Sequence, residues 1–569
     1  MFRARQYFIF FFLISLLTAL FTRLFYLQVL NYDKFSEMAA DQHNSVLKVE
    51  PRRGTIFDRF KDTLAINLDA PSVYCDPRSI KDKEKVADFL SRTLDADRET
   101  LSRKLSKDKA FIWVKRKIDK KTAKKIKKEN LTGVHFLYES ERNYSNDNMA
   151  SHAIGFVGMD NEGLEGLELL FNEKLRGEPG WRHLIRDARR KTVLFNERES
   201  IPPKNGYNLV LTIDSVIQYI VEEELEAMAE KFNASGASII VMDPFTGEIL
   251  AIANWPDYDL NAFSETPREL MKNSAVSNVY EPGSVFKIVT ASAALNEDRI
   301  SLEEKIYCEN GEYRVGGRIL HDFHRYGDLS FSEVISKSSN IGTVKVAQKL
   351  GEDKVYEYIK KFGFGSETGV DLPGEVEGIS RPPAVWSRSD ITTIPIGQGI
   401  AVTPLQMACA ISAIANGGHL MQPYIVDRIT TWEGGVYKQF EPVSKGRILN
   451  EETSEKMKDI LRKVVTEGTG KRARSKLYQT CGKTGTAQMV NPRGGYYPDK
   501  YHATFIGFAP KDIPAISIVV TAADPHPVHF GGSVAGPAFK KIAERTLQYL
   551  NYNKTVSVDR NETERIRIE

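Results

Sequence analysis

Cysteine is scarce in this chain: four residues, Cys75, Cys308, Cys409 and Cys481, among 569. They stand far apart and form no C-x-x-C pair, so they define neither a zinc site nor a disulfide framework. An excess of one charge sign is lacking too. Lys and Arg number 78 against 75 Asp and Glu, and this balance points to no polyanionic partner and no nucleic acid. A phosphate loop is absent: Gly468-Thr469-Gly470-Lys471 imitates one, but Arg472 stands where serine or threonine is required. His321-x-x-His324 with Cys308 lacks a fourth ligand and a recognised spacing, so loop histidines are expected there. No metal and no other cofactor is called for.

Long apolar runs are limited to one. Arg3 and Arg5 precede an uncharged stretch, residues 6–22, after which Arg23 interrupts and 24–30 stay apolar. With Arg23 reaching for the interface, the run is long enough to span a bilayer. No small-x-small cleavage site follows, so an uncleaved anchor is expected rather than a removed signal peptide. The positive-inside bias places the short N-terminus in the cytoplasm and the rest outside, as a single-pass protein.

At this length two or three folded units are expected. Residues 31 to about 205 are charge-rich and carry no catalytic pattern. They include a lysine-dense stretch, 115–128, which reads as a solvated helix face and less readily as a surface for anionic lipid or phosphorylated substrate. From about 206 the pattern changes. Residues 238–242 and 249–254 flank Asp243-Pro244-Phe245-Thr246-Gly247, a hairpin signal. Helical runs follow at 284–295, 343–350 and 404–415. Strands return at 484–489, 503–509 and 515–522, then a helix from 536 to about 550. Strands at both ends with helices between predict an α+β fold whose antiparallel sheet is completed by distant segments. Residues 551–569 read as a polar, frayed tail.

The most informative stretch is Glu281-Pro282-Gly283-Ser284-Val285-Phe286-Lys287. It sets a serine and a lysine three apart after a Pro-Gly break and ahead of an apolar helix. Residues at that spacing share a helix face, so Lys287 Nζ is expected to reach Ser284 Oγ. An amine is one of the few groups that can take a serine proton near neutral pH. Alone the pattern is weak, since about two Ser-x-x-Lys pairs arise by chance in a chain this long; Ser106 and Lys109 form one. Two later motifs give it weight: Ser338-Ser339-Asn340 after a helical stretch, and Lys483-Thr484-Gly485-Thr486 opening a strand. Ser-x-x-Lys, Ser-x-Asn and Lys-Thr-Gly in that order are the signature of β-lactamases and penicillin-binding proteins. Taken singly, Ser338 and Asn340 would be an ordinary cap turn and Lys483-Thr484-Gly485 a strand end.

With these motifs the chain resembles a class B penicillin-binding protein, most similar to the FtsI-type division transpeptidases. Further stretches carry the resemblance: 53–59 (Arg-Gly-Thr-Ile-Phe-Asp-Arg), 163–168 (Gly-Leu-Glu-Gly-Leu-Glu), 206–214, Gly397-Gln398-Gly399 and 482–488. It covers about residues 5 to 548. Two departures stand out: Arg59-Phe60-Lys61-Asp62 replaces the usual Arg-Asn/Asp-Gly turn, and Tyr144-Ser145 replaces Tyr-Pro.

The resemblance implies a penicillin-binding/transpeptidase fold: a central antiparallel sheet flanked by helices, plus a helical lobe. An elongated pedestal module and one transmembrane helix would precede it. The implied segments are 1–30, cytoplasmic tip and signal anchor; 31–205, non-catalytic pedestal of the dimerisation type; 206–550, transpeptidase domain; and 551–569, polar tail. Arg53, Asp58 and Glu168 would brace the pedestal by buried polar pairing.

The implied substrate is a peptidoglycan stem peptide ending in D-Ala-D-Ala, with β-lactams as inhibitors. Ser284 is the implied nucleophile and Lys287 its base, depressed by the nearby Lys483 cation. Ser338 would relay a proton to the leaving nitrogen, and Asn340 would bind Lys287 and substrate. Thr484, Gly485 and Thr486 would line the substrate strand, Gly485 sparing it a Cβ clash. Ser284 N–H and Thr486 N–H would form the oxyanion hole. Tyr501 and His502 are candidates for the pocket edge, and Cys481 for a packed small residue. The implied location is the inner (cytoplasmic) membrane, with the catalytic domain periplasmic or otherwise extracytoplasmic. Implied partners are a SEDS-family glycosyltransferase, which would polymerise the glycan, and divisome membrane proteins. The Glu281-Pro282-Gly283 lead-in favours division over elongation, and no PASTA-like extension follows. An elongation transpeptidase, a β-lactam sensor, a carboxypeptidase or a β-lactamase are the alternatives.

Overall fold

Residue alternation builds the centre of the molecule. In strand Gly236–Met242 every residue from Ala237 on is buried; Ile239 and Val241 enter one apolar core, while Ile240 and Met242 enter another. A strand's side chains alternate between faces, so a sheet covered on both sides separates its residues in this way. The sheet is antiparallel, in the order Ile249–Trp255, Gly236–Met242, Ile516–Ala523, Tyr496–Ala509, Cys481–Val490. Early and late segments of the chain thus complete one sheet, as an α+β reading requires. Helices Ser215–Lys231 and Gly531–Tyr549 supply the core on one face. The other face meets Lys287–Asn296, Asn340–Leu350 and Pro404–Ala415.

This computed structural model describes residues 2–186 and 192–552; nearly all of the expected tail 551–569 lies outside them. Two compact units emerge. The larger comprises residues 54–175 and 207 onward, the smaller residues 1–53 and 176–206. In the smaller unit, helix Phe2–Phe25 runs on through a π-helical turn, Tyr26–Leu30. Together they form an apolar span of 29 residues with none of it buried in protein. At 1.5 Å per residue this is about 44 Å, ample for a hydrocarbon core of ~30 Å. Thr18 and Thr22 donate their hydroxyls to Ile14 O and Thr18 O, as polar side chains within such a span must. Strand Asn44–Val49 pairs with Gly180–Arg186, which pairs with Thr192–Ile201.

In the larger unit a second sheet joins the segment before residue 175 to the segment after 207. Ile56–Phe57 lies parallel to Asn208–Leu211 on one side and antiparallel to Thr63–Cys75 on the other. Val426–Thr430 extends the sheet beyond Asn208–Leu211, and Val134–Tyr144 pairs along the whole of Thr63–Cys75.

The expected buried pairing takes a specific form. Asp58 accepts from Phe60 N, Asp62 N and Ser215 Oγ. Glu168 binds Arg142, a partner not picked out in the sequence, at 2.7 Å with both side chains almost wholly buried. Arg53 is buried as well. The two departures from the family pattern keep their turns. Lys61 adopts φ 70° where a glycine would sit without strain. Ser145 donates its N–H to Leu64 O at 3.0 Å, a bond that proline would lack.

Helix Lys120–Lys128 buries only Ala123 and Ile126 and turns its lysines outward, with Lys127 over the Phe136 and Tyr138 rings. The last helix differs from expectation. The pattern starts it at Gly536, yet it begins at Gly531 and carries Pro537 inside. Gly531-Gly532-Ser533, poor helix formers, hid that opening turn.

Candidate active site

Ser284 sits on a 3₁₀ turn, Gly283–Phe286, and Lys287 is the first residue of the helix that follows. In a 3₁₀ turn residues three apart eclipse each other, so serine and lysine face the same way. Two glycines make the turn possible. Gly283 has φ 57°, and its N–H donates to Gly397 O at 3.0 Å. A Cβ on Gly397 would fall 2.1 Å from Gly283 O. The Gly397-Gln398-Gly399 motif is therefore a cradle for the serine turn, and Gly399 N donates to Glu281 Oε1 at 2.8 Å. Ser284 itself is partly exposed, as a nucleophile must be.

Strand Cys481–Val490 lies against that turn. A Cβ at Gly485 would come within 2.9 Å of Pro282 O and of Val285 Cγ1. This gives the glycine a reason other than the one inferred from sequence: it admits the protein's own serine turn. Thr486 stays partly exposed and accepts from Gly531 N at 3.1 Å, while Thr484 Oγ1 meets Thr469 Oγ1 at 2.7 Å. Thr469 belongs to the segment set aside as a failed phosphate loop. That segment is site scaffold: Thr469 N donates to Ser336 O, and a Cβ on Gly468 would strike the same carbonyl.

The third motif enters between two helices. Phe331–Ser336 begins with a Ser330/Glu333 capping box, and Asn340–Leu350 is capped by Ser339, whose Oγ accepts from Gly342 N. Ser339, not Ser338, is thus the cap. Ser338 is freed for the site and adopts φ 59°, a left-handed conformation that costs a serine about 1–2 kcal/mol. Strain of this kind persists only where the surroundings over-determine it.

Here they do. Lys287 Nζ donates to Ser338 O at 2.7 Å, to Asn340 Oδ1 at 2.7 Å and to Ser338 Oγ at 3.3 Å. Lys483 Nζ donates to Ser338 Oγ at 2.8 Å and to Thr484 O at 3.0 Å. The Ser338 hydroxyl therefore bridges two lysines. Among the described residues Lys287 spends its hydrogen bonds on Ser338 and Asn340 rather than on Ser284 Oγ, the contact expected from the spacing. Catalytic hydrogen bonds often tighten only once substrate is bound.

Both lysines are fully buried. Burial pushes the Lys287 ammonium down to about 7, with the Asp322 carboxylate pulling the other way. Burial, and then the Lys287 charge, hold Lys483 well below the usual lysine range. The cause of the Lys287 shift is thus desolvation first, where the sequence reading named Lys483. An amine that is neutral near pH 7, joined through a hydroxyl to a second amine beside a serine turn, can move a proton during acyl transfer.

Asp322 was missed in the sequence. So was Tyr496, whose hydroxyl donates to Glu281 at 2.9 Å. Nothing in the local pattern marks either. His502 is half-buried against the Tyr280 ring at 5.3 Å and pushed down to about 4 by desolvation, while Tyr501 stacks on His529. His321 enters the site through its carbonyl, which accepts from Asn340 Nδ2. Cys481 is buried at the head of the motif strand.

Comparison with known proteins agrees with this geometry. Residues 237–544 match the family described as the penicillin binding protein transpeptidase domain, and residues 48–211 the penicillin-binding protein dimerisation domain. The chain is 36% identical to stage V sporulation protein D of Bacillus subtilis, over 96% of this chain and 86% of the relative. It is 31% identical to the peptidoglycan D,D-transpeptidase FtsI of Escherichia coli, over 94% and 90%. The crystal structure of penicillin binding protein 3 from Mycobacterium tuberculosis, complexed with aztreonam, is similar with a TM-score of 0.71 and 29% identity, covering 89% of this chain and 98% of that one.

Proposed function

We propose a mechanism from one premise: the chain belongs to the class B penicillin-binding proteins, FtsI type, and is a peptidoglycan D,D-transpeptidase. Ser284 Oγ attacks the penultimate carbonyl of a stem peptide ending in D-Ala-D-Ala. Neutral Lys287 takes the hydroxyl proton. The developing oxyanion meets the N–H groups of Ser284 and Thr486. As the peptide bond breaks, Ser338 passes a proton to the departing D-alanine nitrogen, and the Lys287–Ser338–Lys483 chain of hydrogen bonds replenishes it. An amine of a neighbouring stem peptide then attacks the acyl ester. The new amide forms, the Ser284–acyl bond breaks, and the proton returns to Ser284. Asn340 aligns Lys287 and the substrate amide. Lys483, Thr484 and Thr486 donate to the terminal carboxylate, and Gly485 keeps the strand close to the serine turn.

The observation that carries this reading is the Ser338 hydroxyl shared by two buried lysines. A β-lactam would acylate Ser284 as a stem-peptide mimic. The test is labelling of the detergent-solubilised chain with a fluorescent penicillin, followed by a chase. Labelling lost in Ser284→Ala, with the wild-type adduct persisting, is the expected result. Loss of the adduct within seconds would point to a β-lactamase, and labelling that survives Ser284→Ala would overturn the assignment.

The working division of the chain is anchor 1–30, pedestal 31–205, transpeptidase 206–550 and tail 551–569. The apolar helix anchors the chain once in the cytoplasmic membrane, with the N-terminus inside and the catalytic domain extracytoplasmic. A SEDS-family glycosyltransferase and divisome membrane proteins are the partners, in septal wall synthesis. Likeness to stage V sporulation protein D favours a second setting, wall synthesis in sporulation, with the same chemistry. Depletion during vegetative growth separates the two: filamentation supports division, and normal division with failed spores supports sporulation.

A further inference from the structure

One carboxylate faces the lysine pair from outside the three motifs. Asp322 follows strand Arg318–His321, half of a hairpin with Glu312–Val315. Its Oδ1 accepts from Asn340 N at 2.5 Å and from Ile341 N at 3.1 Å; its Oδ2 accepts from Ser339 Oγ at 2.6 Å. Two of the first free N–H groups of helix Asn340–Leu350 are thereby satisfied by a charge of the favoured sign. The neighbouring His321 carbonyl takes Asn340 Nδ2 at 3.0 Å, which leaves Asn340 Oδ1 turned to Lys287. The same two residues therefore fix the backbone beside Ser338 and the orientation of the Asn340 amide.

The electrostatics point the same way. Groups coupled to this carboxylate are Lys287 from the serine helix and Cys308 and Tyr326 from the loops flanking the hairpin. Burial raises both Cys308 and Tyr326, so neither adds a charge near neutrality. Lys483 faces Lys287 from the motif strand and carries the same sign. Among the described residues Asp322 is the one charge acting on Lys287 that favours its protonated form.

We propose that Asp322 is a positioning residue of the transpeptidase centre: it clamps the Ser338–Asn340 turn and supplies the counter-charge for Lys287. It works through Lys287 and the turn, without touching substrate, and the proposal rests on the transpeptidase reading above. The hairpin is then part of the catalytic apparatus, since its displacement would remove the clamp and the counter-charge together.

Asp322→Asn separates the two roles, because the amide keeps the shape and an acceptor while losing the charge. The measurement is the rate of penicillin acylation of the full-length chain against pH, with melting temperature alongside. Without the counter-charge Lys287 gives up its proton more readily, so the acid limb should move about one unit lower. The plateau should fall about threefold, because a base about one unit weaker takes the serine proton less readily. Ser339→Ala is the contrast: it loosens the clamp and keeps the charge, so acylation should slow with the acid limb in place. If Asp322→Asn fails to fold, Asp322→Glu takes its place and should retain the wild-type limb. An unmoved limb in folded Asp322→Asn, or a limb moved equally by Ser339→Ala, would overturn the proposal. If wild type is not acylated at Ser284, the transpeptidase reading itself has failed, a result distinct from either.

Discussion

Arg142 and Glu168 bury one charge of each sign, whereas Lys287 and Lys483 bury two of the same sign. The first pair lies in the part of the larger unit that matches the dimerisation domain. Arg142 also donates to Gly54 O and Asn67 Oδ1, so its charge is matched and hydrogen-bonded. Such a pair fixes strand Val134–Tyr144 to helix Gly166–Leu170 and offers no chemistry. In the cleft, by contrast, neutral oxygens receive both amines and Asp322 supplies a single opposing charge. Desolvation then acts on proton affinity instead of being cancelled. Two regions of one chain thus show burial serving rigidity in one place and reactivity in the other.

Replacing one member of each pair should move different observables. Lys287→Met removes the base, and acylation should fall about 10³-fold. The melting temperature should hold or rise, because a disfavoured buried amine is gone. Glu168→Gln should do the reverse. It strands a buried guanidinium, at a cost of about 3–5 kcal/mol, while the folded fraction acylates at the wild-type rate. Denaturant unfolding and penicillin labelling of the same samples decide both. A large stability loss in Lys287→Met, or a tenfold slower folded Glu168→Gln, would break the contrast.

The pH dependence sharpens it. In the proposed mechanism Lys287 is the base when neutral, above about 7. Acylation should therefore fall about tenfold per unit as the pH drops below that value. The stability sign follows from the same group, whose folded affinity lies below its unfolded value of 10.5. Between about 7 and 10.5 the unfolded chain holds a proton that the folded chain has released, so stability rises with pH. Below about 7 both forms are protonated and the penalty is constant. Lys287→Met should lessen that slope, to which Lys483 still contributes, read as melting temperature against pH, while Glu168→Gln should leave it in place.

Much of this site was legible because its motifs are local. Ser284 and Lys287 need only a helix-like spacing, Ser338 and Asn340 only a turn, and Lys483 to Thr486 only a strand. The central sheet was legible for a similar reason, since alternation and hairpin signals survive in one dimension. What could not be read were the partners that folding brings in from afar. Asp322 lies a strand and a helix before Asn340, Arg142 reaches from its strand to Glu168 on the short helix Gly166–Leu170, and Thr469 sits in a segment that looked like a failed phosphate loop. Gly485 was singled out for a substrate strand, yet the atom that its missing Cβ admits, Pro282 O, comes from a segment far back in the sequence.

Backbone strain repeats the contrast at a smaller scale. Lys61 and Ser338 both hold left-handed backbone, at φ 70° and 59°. Lys61 is exposed in a surface turn, and its side chain is not needed to hold φ there, so glycine should fit with less strain. Lys61→Gly should stabilise the chain by about 0.5–1 kcal/mol, net of the entropy glycine adds to the unfolded state, with acylation unchanged. Ser338→Gly relieves the same strain but removes the hydroxyl that receives both lysines. It should therefore slow acylation steeply whatever it does to the melting temperature. If Ser338→Gly acylates normally, the left-handed turn at that position is incidental, and strain in the cleft teaches no more than strain at Lys61.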